Sequence, residues 1–176
     1  ILQHDPEDAV GVVCEKVADK LPKVQVRRTP RKSSKSNGVV ERFHQSVQGM
    51  VRTWVSVIKE KTGIVVGPDH VLAPWLIRNA AWILSVVQRK ADGMSARERR
   101  TGVMNDAPLV PFGEMVRALT PGGSREKMSL RRYDAIMLGR ATDSNEHIVG
   151  TEDGVFKVRT IRRVVESRKW NVHLLN

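Results

Sequence analysis

The most regular alternation of apolar and polar residues lies between residues 38 and 63. Apolar side chains recur there at the three- and four-residue spacing of an α-helix. They are Val40, Phe43, Val47, Met50, Val51, Trp54 and Ile58. Ser36 or Asn37 can cap the first turn, and Gly63 suits the end. The pattern predicts one long amphipathic helix that runs to about Lys61.

The polar side of this predicted helix forms a stripe of its own. Steps of four, three and four residues lead from Glu41 to Gln45, Gln48 and Arg52 without meeting an apolar residue. Glu41 falls in the first turn, facing away from the core. The stripe is either the solvated side of a core helix or a functional surface.

Two further helices and a strand are predicted in the first half of the chain. Residues 6 to 20 read as a helix that follows Asp5, and residues 24 to 28 alternate as a short strand. Residues 71 to 90 are apolar nearly all round and predict a buried helix. The tryptophans at helical spacing in these segments are typical of a core rather than of base stacking. They are Trp54, Trp75 and Trp82.

The second half changes character. Glycine and proline are frequent from 92 to 128, which predicts a linker with one short strand around 112 to 119. Short strands are then expected at 133 to 138, 147 to 150 and 155 to 164. In the last strand, three basic side chains would share a face, forming either a DNA-binding ribbon or the wet side of a sheet. They are Lys157, Arg159 and Arg163.

The charge balance favours a polyanionic partner. Thirty Lys and Arg against nineteen Asp and Glu give a formal net charge of +11. Residues 23 to 35 hold six of these cations and no acid. Such a loop can neutralise phosphates without reading base sequence. The alternative is a solvated basic loop or a nuclear-targeting patch.

Several classes of protein are disfavoured. Cys14 is the only cysteine, so neither a disulfide framework nor a cysteine-based zinc site is expected. The five histidines lack metal-ligand spacing. No run of eighteen apolar residues and no signal-peptide pattern occurs, so we expect a soluble chain that is neither secreted nor membrane-bound.

Two carboxylates draw attention because of their positions. Thirty-five residues, positions 6 to 40, separate Asp5 from Glu41. Enzymes that move phosphoryl groups between nucleic-acid strands hold two metal ions with carboxylates brought from distant points of the chain. With nineteen acids present, this spacing alone is a weak signal.

The residues around both carboxylates resemble the integrase region of a copia-type retrotransposon polyprotein. Residues 1 to 5, Ile-Leu-Gln-His-Asp, are similar to the end of the fourth core strand with the second catalytic Asp. Residues 36 to 42, Ser-Asn-Gly-Val-Val-Glu-Arg, are similar to the motif around the catalytic Glu. The sequence departs from the family at Pro6-Glu7, where Asn-Gly is common. Gln45 and Gln48 also stand where some members carry basic residues.

The resemblance implies an α/β chain. Residues 1 to 91 would be the C-terminal half of an RNase H-like core, 92 to 128 a linker, and 129 to 170 a small β-rich domain. Asp5 and Glu41 would hold two Mg²⁺ or Mn²⁺ ions together with an Asp expected upstream. The implied reactions are 3′-end processing and DNA strand transfer.

The implied partners are element and target DNA, and copies of the full-length protein in a homo-oligomer. The expected location is the nucleus, or cytoplasmic virus-like particles before nuclear entry. Phosphate contacts are expected from the basic loop, the long helix and the last strand. They are Arg31, Lys32, Lys35, Arg42, Gln45, Gln48, Arg52, Lys157, Arg159 and Arg163.

A rival hypothesis assigns nucleic-acid binding to the basic surface but no catalytic activity to the carboxylates. The chain would then be a non-catalytic nucleic-acid-binding remnant of a transposon polyprotein. The absence of the first catalytic Asp from these residues agrees equally well with either hypothesis.

Overall fold

The protein is a mixed α/β chain of two compact units. The computed structural model describes residues 1–21, 23–30, 38–105, 108–119 and 131–176. The first unit is Ile1–Ser46 and the second is Val47–Asn176.

The first unit contains a strand, a helix and a second strand. Strand β1 (Leu2–His4) pairs in parallel with β2 (Val26–Arg28), and α1 (Asp8–Asp19) connects them. Parallel strands need such a crossover. Helix α2 (Gly38–Thr62) follows and crosses into the second unit. The predicted strand before Asp5, the helix after it and the long amphipathic helix are confirmed.

Helix α1 lies close to the two strands at a glycine. A β-carbon built on Gly11 would come within 3.3 Å of the side chains of His4 and Arg28. Gly11 and Cys14 are the residues of α1 that are buried, whereas Val12 and Val13 on the other side remain exposed. The absence of a side chain at Gly11 therefore lets the helix and the strands approach each other.

The second unit is built on an antiparallel sheet. Its helices are the C-terminal part of α2, α3 (Ala73–Val87), α4 (Ala96–Thr101) and α5 (Val172–Leu175), with a 3₁₀ turn at Glu166–Arg168. Its strands are β3 (Met115–Leu119), β4 (Arg132–Arg140), β5 (His147–Thr151), β6 (Gly154–Val158) and β7 (Ile161–Arg163). The strand order is β6-β5-β4-β3-β7.

This order forces the sheet to curl. Strands β6 and β7 form its two edges, yet β6 ends at Val158 and β7 begins at Ile161. Three Cα–Cα steps span at most about 11 Å, whereas the edges of a flat five-stranded sheet lie about 19 Å apart. The sheet must therefore bend until its edges approach each other at this end.

Strand β4 is buried on both faces. Ala135 and Met137 belong to a core enclosed by the curled sheet, together with Val116 and Val149. The alternate residues of β4 point to a second core, where side chains of α2, α3 and α5 pack. That core includes Ile136 and Leu138 from β4 with Ile58, Leu76, Phe112 and Leu175. One strand thus joins the sheet to its helices.

Close packing of α3 on β4 depends on Gly139. Its φ of +142° is a conformation that glycine adopts readily, and a β-carbon there would lie 3.2 Å from Oδ1 of Asn79 in α3. The pairing of β4 with β5 shifts register between Met137 and Gly139. The bulge lets the helix approach the strand.

The structure refines several sequence predictions. Trp54, Trp75 and Trp82 pack in or against the hydrophobic cores, as predicted. Helix α4 lies inside the predicted linker and was missed. The single strand predicted from 155 to 164 is wrong, because the chain leaves one sheet edge after Val158 and joins the other at Ile161. The division into domains at 91 and 128 stays a prediction, since compact units need not coincide with units of sequence.

A buried carboxylate forms an ion pair with an arginine of the edge strand β7. Glu114 is 1% exposed, and its two oxygens accept hydrogen bonds of 2.6 and 2.7 Å from the Arg163 guanidinium. The hydrogen-bonded carboxylate raises the pKa of Arg163. Arg163 satisfies a charge that would otherwise be buried without a partner.

We expect Arg163→Met to lower the free energy of unfolding by about 3 kcal/mol, because Glu114 would stay buried without its cation. Urea denaturation of the full chain measures the change. Arg162→Met is the matched control on the same strand, since Arg162 is exposed like Arg163 but forms no ion pair within the described ranges. Equal stability of the two variants would contradict the assigned role of Glu114.

A histidine at the start of β5 gives the second unit a pH dependence. Burial, and then the charge of Arg140, lower the pKa of His147 from 6.5 to about 4. Between pH 6.5 and 4, His147 binds a proton in the unfolded chain but not in the folded protein. This contribution therefore favours unfolding as the pH falls through that range, and it is absent above it.

Replacing His147 with Gln should flatten the pH profile. The melting temperature of the wild type should fall more steeply than that of His147→Gln between pH 6.5 and 4, because the variant has no group that protonates only on unfolding. His173→Gln is the control, as His173 is exposed. Parallel profiles for all three proteins would show that His147 protonates equally in both states.

Candidate active site and nucleic-acid interface

Asp5 stands where the two parallel strands end. It follows β1 directly, and Thr29 follows β2. The backbone N–H of Thr29 donates to the carbonyl of His4 at 2.9 Å, and the hydroxyl donates to the same carbonyl at 3.1 Å. The Thr29 hydroxyl also lies 3.5 Å from Oδ1 of Asp5. The carboxylate is thus positioned at the carboxyl edge of parallel strands, where ligands commonly bind.

The residue before Asp5 fixes its backbone. His4 is buried, and its Nδ1 lies 2.5 Å from the carbonyl oxygen of Asp5. The contact is a hydrogen bond in the tautomer whose Nδ1 carries the proton, because a carbonyl can only accept. His4 therefore restrains the backbone at Asp5 while the side chain of Asp5 stays exposed.

Glu41 lies in the first turn of α2 and is exposed. Gln45, Gln48 and Arg52 follow it along the helix and are exposed too, so the predicted polar stripe is confirmed. Asp5 and Glu41 belong to the same compact unit. Their approach to within roughly 8 Å, the distance that two ligands of one metal centre require, stays a prediction.

No group of three or more His, Cys, Asp or Glu that could hold a metal occurs among the residues that the structure describes. The resemblance supplies Asp5 and Glu41 and expects the third carboxylate from elsewhere. Metal binding by Asp5 and Glu41 therefore stays a prediction, because a search for three ligands among the described residues does not test it.

The basic residues expected to contact DNA differ in their surroundings. Arg31, Lys32 and Lys35 lie outside the described residues. Arg42 and Arg52 are exposed on α2, and within the described ranges neither forms an ion pair. Their charges are therefore available to phosphates.

The cations of the curled sheet already have acidic neighbours. Lys157 lies 3.7 Å from Asp143 and Arg159 lies 3.5 Å from Glu146. Such exposed pairs are weak and exchange readily with other anions. Arg163 gives two donors to Glu114, so a phosphate would have to use its remaining donors. The DNA contacts proposed for all three residues stay predictions.

Sequence reasoning missed four arginines that line one cavity. They are Arg78 of α3, Arg97 and Arg100 of α4, and Arg140 at the end of β4. Two of them fall in the Arg-Glu-Arg-Arg run at 97 to 100, but that run alone does not reveal its neighbours. The Ser95-x-x-Glu98 capping signature was the signal that could have indicated α4.

No protein-family model matches this chain, and no curated protein matches it. None of the helices in the described part of the chain has the length and hydropathy needed to span a bilayer.

The exposed stripe of α2 gives a test of DNA contact. Arg52 and Lys61 both carry one positive charge on this helix. Lys61 lies about 180° round the axis from Arg52, at 100° per residue, and 3.4 Å from Glu60. Arg52→Ala should weaken binding of duplex DNA and reduce the slope of log affinity against log salt by about 0.9. Fluorescence anisotropy at several salt concentrations measures this slope.

Lys61→Ala is the control for that experiment. It removes the same charge from the other side of the helix and should leave the slope nearly unchanged. Equal losses in both variants would show that α2 attracts DNA only through overall charge, without a contact along the stripe.

Proposed function

We propose that this chain is part of an integrase-type polynucleotidyl transferase of a copia-type retrotransposon. The observation that carries the proposal is the placement of the two carboxylates. Asp5 follows a parallel strand at its carboxyl edge, and Glu41 lies exposed in the first turn of the next helix but one. The β1-α1-β2 arrangement is compatible with the C-terminal half of an RNase H-like core.

The donor chemistry fits a hard divalent cation. Two exposed carboxylates offer oxygen ligands, which Mg²⁺ and Mn²⁺ prefer. When bound with a third carboxylate, such ions would activate a hydroxyl and stabilise the leaving oxygen in phosphoryl transfer.

The chain's own residues would position the carboxylates and hold the DNA backbone. Thr29 and His4 would hold Asp5 in place through the contacts described above. Arg42, next to Glu41, would hold a phosphate near the carboxylates. Arg52 and the glutamines of the stripe would contact the backbone further along the DNA. None of these contacts reads base sequence.

The rival proposal is a non-catalytic nucleic-acid-binding remnant. The net charge of +11 and the exposed Arg42 and Arg52, which form no ion pair within the described ranges, support DNA binding under either proposal. Both therefore place the protein with DNA in the nucleus, and the integrase proposal adds virus-like particles and a homo-oligomer. Without a third carboxylate, the 176-residue chain should be inactive in strand transfer in both cases. Metal binding separates the two proposals.

Mn²⁺ binding should require both carboxylates. We expect Asp5→Asn and Glu41→Gln each to weaken Mn²⁺ binding about tenfold or more. Even substitution of a residue that only hydrogen-bonds to a metal ligand can lower metal affinity by that factor. Electron paramagnetic resonance of free Mn²⁺ measures the affinity.

Asp8→Asn is the matched control. Asp8 is a nearby exposed carboxylate that pairs with Arg28 at 2.9 Å, so its loss should leave Mn²⁺ affinity unchanged. If all three variants bind Mn²⁺ like the wild type while DNA binding persists, the remnant is the better description.

A further inference from the structure

The four arginines missed by sequence reasoning surround a cavity of about 400 Å³ in the second unit. Its remaining wall comes from Trp82, from small residues of α3 and α4, and from Thr142 after β4. We call it the arginine cavity. Four guanidinium groups around one concave space repel one another, and a cleft lined by one sign of charge concentrates ions of the opposite sign.

Nearby acids do not neutralise these arginines. Glu98 lies 3.6 Å from Arg89, and Asp92 lies 2.6 Å from Arg99. Glu98 is also committed to the α4 capping box, where it accepts from the backbone N–H of Ser95 at 3.3 Å. Glu98 and Asp92 therefore form ion pairs with arginines outside the cavity.

Within the described ranges, none of the four cavity arginines forms an ion pair with an acid. Two of them are instead placed over aromatic rings. The Arg140 guanidinium lies 6.0 Å from the centre of the Trp82 ring, and that of Arg78 lies 5.8 Å from the Trp75 ring. Such contacts orient a cation without neutralising it.

The surroundings of Arg140 would favour an anion. Arg140 is half-buried at the end of β4, and burial, followed by the nearby charge of Arg97, lowers its pKa. The hydrogen bond that Arg140 donates to the carbonyl of Asn145 is long, at 3.5 Å. A bound anion would offset both the burial and the repulsion.

We propose that the arginine cavity binds a phosphate group. Guanidinium forks match phosphate oxygens in geometry and bind them with paired hydrogen bonds. The cavity holds several such forks and is larger than one phosphate, so the rest of the ligand can enter with it. The backbone of a nucleic acid is the source that the net charge of +11 favours. This source rests on the proposed DNA binding, whereas the phosphate chemistry does not.

The test compares arginines of the same helix. Arg97→Gln/Arg100→Gln removes two cavity charges. Arg99→Gln is the one-charge control outside the cavity, because Arg99 lies between them in sequence and pairs with Asp92. Inorganic phosphate is titrated while the Trp82 indole N–H is followed by NMR. Duplex DNA is titrated separately by anisotropy, and thermal unfolding checks that every variant is folded.

The double variant should lose phosphate affinity at least tenfold, and Arg99→Gln should stay within about twofold. A parallel fold-loss of DNA affinity larger than the squared fold-loss of Arg99→Gln, which two charges outside the cavity would not cause, supports the backbone as the source. Loss of phosphate binding alone upholds the cavity and assigns it to a free phosphorylated ligand. If phosphate does not perturb Trp82 in the wild type, or the double variant matches Arg99→Gln, the proposal is overturned.

This outcome is independent of the carboxylates. Wild-type Mn²⁺ affinity in Asp5→Asn and Glu41→Gln would remove the integrase proposal and leave the cavity result standing. Conversely, an inert cavity would leave the Mn²⁺ result unaffected, because the two sites share no residue.

Discussion

Burial of β4 on both faces is the constraint on which the second unit depends. Ala135 and Met137 fill the curled sheet, whereas Ile136 and Leu138 meet the helices. Successive side chains of a strand point to opposite faces, so a one-residue slip would exchange the two sets. The register of β4 thus determines at once how the sheet closes and where α3 lies. The positions of Arg78 and Arg140 on the arginine cavity follow from it.

The sequence predicts the elements whose signals are local. Helix α2 follows from helical periodicity and from Gly63, whose φ of +78° ends the helix. The short helix α4 has little periodicity because its six residues span fewer than two turns, although its capping box is visible. The split between β6 and β7 was missed because strand propensity continues through residues that leave one sheet edge for another.

The candidate sites show the same limit. Asp5 and Glu41 could be placed at the end of a strand and the start of a helix, because both positions depend on neighbouring residues. The partners Glu114 and Arg163 are forty-nine residues apart, and no periodic pattern relates them. The arginine cavity likewise draws on three separate elements. Only the tertiary fold shows which cations are neutralised and which are not.

The curl of the sheet also affects how this protein meets other chains. A free sheet edge exposes unpaired backbone donors and acceptors that can recruit a strand from another molecule. Here the edge strands β6 and β7 are short and carry Lys157, Arg162 and Arg163. The link through Arg159 and Thr160 also turns the edges toward each other. If the protein gathers on DNA as proposed, this arrangement would disfavour edge-to-edge pairing of neighbouring copies at high local concentration.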